Sequence, residues 1–189
     1  MVSADVFSLA LCALSALCTE KVSAQNYVTV SATNVYQNTG RKWQDWRKNV
    51  ATFEAVSAIV KETYRKLWND WYLACAPVGA LLQVDLSDEC SRYSHSRNLI
   101  VIAIAEANLD DHDILDLSAW PIWKVELVHE MLHEWQAKTP CIVTRDAEAL
   151  CTKYAPPACG DGHGPEFFQA IVEKASYFSM TPEQLAAKI

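Results

Sequence analysis

The stretch WKVELVHEMLHEWQAKTP, residues 123–140, decides how this chain is interpreted, because it places charged and ionisable groups on an otherwise apolar helix. At about 100° per residue, four polar side chains fall within a sector of roughly 100°. They are Glu126, His129, Glu130 and His133. The far side of the helix is expected to pack against the core and carries Val125, Val128, Met131, Leu132 and Trp135. Because polar groups are costly to bury without partners, this convergent face indicates something to bind.

The five letters HEMLH, residues 129–133, have the spacing of a zinc-binding helix. Two imidazoles one turn apart can both contact a single Zn²⁺ at about 2.0–2.1 Å. The glutamate after the first histidine is then offset toward a water on the metal rather than toward the metal itself. We therefore predict His129 and His133 as ligands and Glu130 as the general base. The alternative is a pair of surface histidines that form ion pairs with neighbouring glutamates.

A catalytic zinc site takes three protein ligands and keeps one position open, so a third ligand must come from elsewhere. His163 is the best placed of the remaining histidines, because it lies between two glycines in GDGHGPEFF, residues 160–168, directly before a predicted helix. Glycines let the backbone bring the imidazole close to another helix. An exposed loop histidine is the other interpretation. Three carboxylates stay open as substitutes, with Glu148 the strongest of them: Asp146, Glu148 and Glu166.

Hydrophobic periodicity around the motif predicts a mixed α+β fold. Apolar residues recur every three or four positions over residues 42–73, which indicates one or two N-terminal amphipathic helices. Residues 80–87 alternate and residues 97–104 form a β-branched run, so two strands are predicted, joined as a broad hairpin through a polar loop. The motif helix is expected to end before Pro140, and a C-terminal helix is expected to begin at Pro165.

Composition favours a single domain with a real core. The chain has 189 residues, of which 51% are hydrophobic and 21% are charged, with a formal net charge of −7. This balance gives no electrostatic support for nucleic acid as a partner. We expect an N-terminal apolar segment and connector over residues 1–40 and one domain over residues 41–189. The seven cysteines form no CxxC pair, which argues against a zinc ribbon or a thioredoxin-type motif.

The N-terminal segment contains the 13-residue apolar run VFSLALCALSALC, residues 6–18. This run is too short to predict a membrane span, so stable membrane insertion is not expected. Val-Ser-Ala at residues 22–24 fits a signal-peptide cleavage site, but no Lys or Arg precedes the run and Asp5 has the wrong charge. We favour a buried or membrane-touching helix in a cytoplasmic protein. The protein would be secreted if residues 1–24 are a signal peptide.

HEMLHEWQ, residues 129–136, followed by DGHGPEFF, residues 161–168, resembles the SprT-like zinc metallopeptidases, a group that includes the Spartan DNA–protein crosslink proteases. The family signature is HExxH, often with Trp two residues later, and then His-Gly-x-x-Phe. With the order of upstream elements, the resemblance extends over about residues 50–180. It implies a zincin-like domain with one zinc per chain. By the same resemblance, His129, His133 and His163 are the ligands, Glu130 is the general base and Phe167 is a core residue.

This sequence departs from the family pattern between the two motifs. About 30 residues separate His133 from His163, and three cysteines lie in that segment: Cys141, Cys151 and Cys159. They are predicted as inert buried thiols, with a disulfide or a second metal site as alternatives. Because the chain is acidic, the implied peptidase chemistry carries over better than the implied role in DNA repair.

The motif and the resemblance together predict a zinc metallopeptidase that acts on a protein or peptide substrate. Zinc would lower the pKa of a water, and Glu130 would take its proton as that water attacks a carbonyl. Residues 97–104 are the expected edge strand for an extended peptide. Glu126 is either a partner of the metal site or a solvated residue. Three loop residues are predicted as solvated, with substrate contact as the alternative: Tyr93, His95 and Arg97.

Two other functions stay open at this point. A non-catalytic interaction module stabilised by zinc would use the same histidines and close the site with a fourth ligand. A DNA-associated repair protease would bind with an affinity that falls steeply with salt.

Overall fold

The computed structural model describes residues 28–31, 43–72, 78–139, 141–154 and 162–189. The predicted N-terminal helix or signal peptide lies outside the described residues, and so does Cys159. Within the described residues, the chain combines α-helices with a small β-sheet, so the mixed α+β class is confirmed.

Helix α1, Trp43–Trp71, is a single 29-residue helix rather than two. Its core face repeats every three or four residues, as the periodicity predicted, and is formed by Phe53, Val56, Val60, Tyr64, Leu67, Trp68 and Trp71. This stripe is continuous enough to bury one side of the helix along most of its length.

The sheet has four strands in the order β1-β2-β4-β3. The strands are β1 (Val28–Ser31), β2 (Leu81–Leu86), β3 (Arg92–Ser94) and β4 (Leu99–Ile104). Strand β2 runs parallel to both β1 and β4, whereas β3 is antiparallel to β4. Both predicted strands are present, but the predicted hairpin between them is wrong because β2 and β4 run in parallel. Strand β1 lies inside the predicted connector and adds an edge to the sheet.

The polar loop between the two predicted strands contains a short strand that the sequence pattern did not predict. Strand β3 forms within it, and the chain then reverses through a 3-10 turn, His95–Arg97, and Asn98 in the left-handed region at φ 47°. The asparagine tolerates this conformation better than most residues. A three-residue edge strand has few buried positions, so it carries no hydrophobic alternation that a sequence pattern could show.

Strand β4 is an interior strand, so the prediction that residues 97–104 form the sheet edge is wrong. Ile100, Val101, Ile102 and Ile104 are all buried, because β4 is paired on both sides and covered by helix. A continuous β-branched run is typical of a strand buried on both faces in parallel pairing. Among the described residues, the edge on this side of the sheet is β3.

Four more α-helices follow the sheet: α2 (Ile122–Lys138), α3 (Arg145–Tyr154), α4 (Pro165–Lys174) and α5 (Pro182–Ala186). Helix α2 carries the motif and, as predicted, stops before Pro140. The indole N–H of Trp123 donates to the carbonyl of Ile114 at 2.7 Å and fixes the start of α2. Helix α4 begins at Pro165 as predicted, whereas α5 was not predicted.

The motif helix α2 lies between the sheet and α4. It packs against β3 and β4 on one side and against α4 on the other. Its buried apolar residues are Trp123, Leu127, Val128, Met131 and Leu132. This arrangement puts the polar face of α2 at the edge strand β3. Within the described part of the chain, no helix is both long and apolar enough to cross a membrane.

Candidate metal centre

Three histidines converge at the polar face of α2. His129 and His133 are one turn apart on α2, and His163 comes from the segment just before α4. The Nε2 atoms of His129 and His163 are 2.9 Å apart, and the candidate ligand nitrogens of all three side chains lie within 4.8 Å of one another. Zn–N distances of about 2.0–2.1 Å place ligand nitrogens roughly 3.3 Å apart in a tetrahedral site. The three imidazoles therefore fit a single ion of this size.

The loop before α4 brings His163 to this position through Gly162. Gly162 adopts φ 131°, a conformation that side chains rarely tolerate. A Cβ atom at this residue would also lie 3.5 Å from Cε1 of His133. The glycine thus allows the loop to turn and to pass close to α2, as the glycine spacing in the sequence indicated.

Phe167 forms an apolar floor beneath the three imidazoles. Its ring centroid lies 5.2, 4.5 and 4.8 Å from those of His129, His133 and His163. The side chain is only 2% exposed. It restricts the orientations of all three rings and keeps water from their inner side. The core position that the family resemblance implied for Phe167 agrees with this packing.

The outer sides of the imidazoles have their own hydrogen-bond partners. The Nδ1 atom of His129 is 3.2 Å from the main-chain oxygen of Ile189. His133 is hydrogen-bonded to the side chain of Gln136. Such contacts orient a ligand imidazole and set which nitrogen is free for a metal. Neither Gln136 nor Ile189 was singled out in the sequence.

Both histidines of α2 are in the neutral form that binds a metal. Burial, with a smaller contribution from His163, lowers the pKa of His129 to about 4. Burial, with contributions from the other two histidines, lowers the pKa of His133 to about 3. A neutral imidazole keeps a nitrogen lone pair available for coordination.

Glu130 lies beside the three histidines and is 4% exposed. Burial, together with the nearby Glu126, raises its pKa to about 8, and the main-chain N–H of Tyr93 donates a hydrogen bond that opposes this rise. A divalent cation among the histidines would further favour the carboxylate form. A carboxyl group tuned in this way can exchange a proton near neutral pH, as a general base requires.

An open cleft of about 780 Å³ gives access to this centre. The three histidines and Glu130 line it together with residues before and within β3. Tyr93 and His95 are among the lining residues, whereas Arg97 is not and is exposed. Glu126 is half-buried, lines the cleft and is hydrogen-bonded to Ser91. Glu126 was predicted to be either a partner of the metal site or a solvated residue. Its burial and its bond to Ser91 favour the first of these interpretations.

The carboxylate alternatives to His163 are placed differently from the histidines. Asp146 and Glu148 are exposed on α3, and Glu166 lines the cleft. Among the described residues, no carboxylate or cysteine joins the three histidines within ligand distance of one another. The described residues thus provide three candidate ligands on the wall of the cleft.

The cysteines near this centre are free thiols. Cys141 and Cys151 are both half-buried, and Cys141 lines the cleft. The thiol of Cys151 donates weakly to the main-chain oxygen of His163 at 3.7 Å. Cys90, in contrast, is disulfide-bonded.

Sequence reasoning missed Glu134, the residue directly after His133. Its carboxylate is fully buried and accepts from the Ala80 main-chain N–H at 2.8 Å and from the Tyr64 hydroxyl at 3.2 Å. The Lys138 ammonium donates to it at 2.5 Å. At about 100° per residue, Glu134 falls at the border between the polar and the apolar face of the helix, so the spacing did not mark it as a buried group.

No protein-family model, curated protein or solved structure matches this chain.

Proposed function

We propose that this chain is a zinc-dependent metallopeptidase with a zincin-like, SprT-like domain. The observation that carries the proposal is the placement of three histidines and the buried Glu130 on the wall of one open cleft. Three imidazoles suit zinc better than they suit calcium or magnesium, which prefer oxygen ligands.

The residues of the centre have separate roles in the proposed hydrolysis. His129, His133 and His163 would hold the zinc, which when bound lowers the pKa of a water and polarises a carbonyl. Glu130 accepts the proton from the attacking water and passes it to the leaving amine. The main-chain N–H of Tyr93 holds the Glu130 carboxylate in place for this transfer.

The edge strand β3 is where we place the substrate. It runs from Arg92 to Ser94, and Arg92 and Tyr93 line the cleft. Among the described residues, its outer side pairs with no other strand. An extended peptide can add to such an edge through main-chain hydrogen bonds and pass across the three histidines. The substrate strand is thus β3 instead of residues 97–104.

The three-ligand arrangement favours an enzyme over a zinc-stabilised interaction module. Structural zinc sites are usually closed by four protein ligands, whereas catalytic sites keep one position open. The described residues supply three ligands beside a cleft of about 780 Å³. For a DNA-associated repair protease, the net charge of −7 supplies no attraction.

The test is zinc content and casein cleavage by the purified wild type and three variants. We expect about one zinc per wild-type chain. Glu130→Gln should keep the zinc and lose cleavage by about 10²–10⁴-fold, because the proton acceptor is gone. His163→Ala should lose both. Glu148→Gln, an exposed carboxylate one helix away, is the matched control and should keep both.

Three results would contradict the proposal. Cleavage by Glu130→Gln at the wild-type rate would remove Glu130 from the chemistry. Zinc retained in full by His163→Ala would exclude His163 as the third ligand. Zinc bound at one per chain with no cleavage in any form would favour the interaction module instead.

A further inference from the structure

The last residue of the sequence, Ile189, touches the candidate metal centre. Its main-chain oxygen is 3.2 Å from Nδ1 of His129, and Ile189 also lines the cleft. This contact joins positions 60 residues apart in the sequence. The partner on Ile189 is a main-chain oxygen, so no side-chain motif in the sequence predicts this contact.

The contact determines the tautomer of His129. A main-chain oxygen can only accept a hydrogen bond, so Nδ1 of His129 must carry the proton. In the neutral ring, Nε2 then presents its lone pair. That Nε2 atom is the one that lies 2.9 Å from Nε2 of His163, on the side where the three histidines converge.

The oxygen of Ile189 is held by the surrounding structure. The Ile189 main-chain N–H donates to the carbonyl of Leu185 at 3.2 Å. Leu185 is fully buried in helix α5, and the Ile189 side chain packs partly buried against the core. The Lys188 ammonium lies 5.3 Å from the ring centre of Trp120, which adds a cation–π contact. The main-chain N–H, the side chain of Ile189 and the preceding Lys188 thus anchor the residue that carries the oxygen.

We propose that the main-chain oxygen of Ile189 is a positioning group of the metal centre, which fixes the tautomer and the ring orientation of His129. The inference rests on the zinc site proposed above. Partners of this kind typically change metal affinity by about 10–100-fold when they are removed. Residues 182–189 thus belong to the site as well as to the fold.

The experiment compares two variants of the full chain. Deletion of residues 188–189 removes the oxygen. The double variant Lys188→Ala with Ile189→Ala loses the same side chains but keeps the main chain, so it is the matched control. Zinc affinity is measured by competition with a chelator. The His129 tautomer is read from imidazole ¹⁵N chemical shifts of the metal-free protein, and circular dichroism reports folding.

We expect wild-type His129 to carry its proton on Nδ1 without metal. The deletion should weaken zinc binding by about 10–100-fold and mix the tautomers. The double alanine variant loses two side-chain anchors but keeps the oxygen and the main-chain bond from Ile189 to Leu185, so it should lose clearly less zinc affinity than the deletion. A wild-type proton on Nε2 would overturn the inference, even if the deletion variant failed to fold. Unchanged affinity in the deletion, or an equal loss in the double alanine variant, would also overturn it.

The same data separate this inference from the proposed function. A wild-type chain that binds no zinc would contradict the metallopeptidase, while its ¹⁵N shifts would still decide the His129 tautomer. A wild-type chain that binds zinc, with a deletion that binds equally well, would contradict the inference alone.

Discussion

At the scale of single residues, the buried carboxylate of Glu134 shows how the motif helix is fixed. It ties α2 to the main chain at Ala80, just before β2, and to Tyr64 of α1. Lys138, one turn later on α2, neutralises it with a side chain that is only 12% exposed. A buried charge with these partners sets the position of α2 along its axis, because any shift would leave the carboxylate unsatisfied. His133 is its neighbour in sequence, so the position of a candidate ligand depends on it.

Glu134→Ala is expected to destabilise the protein by about 3–5 kcal/mol, because Lys138 loses its counter-charge and the buried Ala80 N–H loses its acceptor. Glu134→Gln should lower the free energy of unfolding by less, since its amide oxygen still accepts a hydrogen bond. Urea unfolding monitored by Trp fluorescence measures the difference. The control is Glu62→Ala, which removes an exposed pair with Arg65 and should leave stability unchanged. Equal stability of wild type and Glu134→Ala would show that the buried carboxylate does not hold α2.

At the scale of elements, the short helix α5 depends on its first turn. It spans only Pro182–Ala186, a length at which helical hydrogen bonds alone give little stability. The Thr181 hydroxyl accepts from the Gln184 main-chain N–H at 3.2 Å, and the Gln184 side chain accepts from the Thr181 N–H at 2.8 Å. This capping box holds the segment that carries Ile189 to His129.

Thr181→Ala should lower the free energy of unfolding by about 0.5–2 kcal/mol, because the first turn of α5 loses its cap. Thr181→Ser keeps the hydroxyl and should stay close to the wild type. Both are measured by urea unfolding of the metal-free chain. If the serine variant lost as much as the alanine variant, the methyl group rather than the cap would be the stabilising part of Thr181.

At the scale of the whole molecule, the metal centre joins elements that are distant in the chain. His129 and His133 belong to α2, and His163 belongs to the segment that leads into α4. These two parts already pack against each other through Phe167, which touches all three imidazoles. A bound ion would cross-link them, so its binding free energy would add to the stability of the folded state.

Zinc at 100 times its dissociation constant should stabilise the chain by about 2.7 kcal/mol. For a chain of this size, that corresponds to a rise of roughly 5–11 °C in Tm. Thermal unfolding with zinc and after chelation measures it. His163→Ala should show a much smaller zinc-dependent rise, and magnesium should not replace zinc in the wild type. The same zinc-dependent rise in His163→Ala would mean that the ion binds elsewhere.

The sequence by itself determined the features that depend on neighbours along the chain. One such feature is the apolar repeat of α1, and another is the four-residue interval between His129 and His133. Both depend only on spacing along the chain, because residues three or four positions apart lie on the same face of a helix. Pro140 and Pro165 bounded α2 and α4 for the same reason, since proline acts on the backbone where it stands. The mixed fold class and the polar face of α2 followed from these patterns.

Only the tertiary structure decided which strands pair and which distant groups meet. The parallel pairing of β2 with β4 and the edge position of β3 depend on contacts between segments, which local alternation does not encode. The bond from Ala80 to Glu134 and the contact between His129 and Ile189 involve main-chain atoms. Every residue except proline carries the same main-chain N–H and oxygen, so the residue types do not show which of these atoms form tertiary hydrogen bonds.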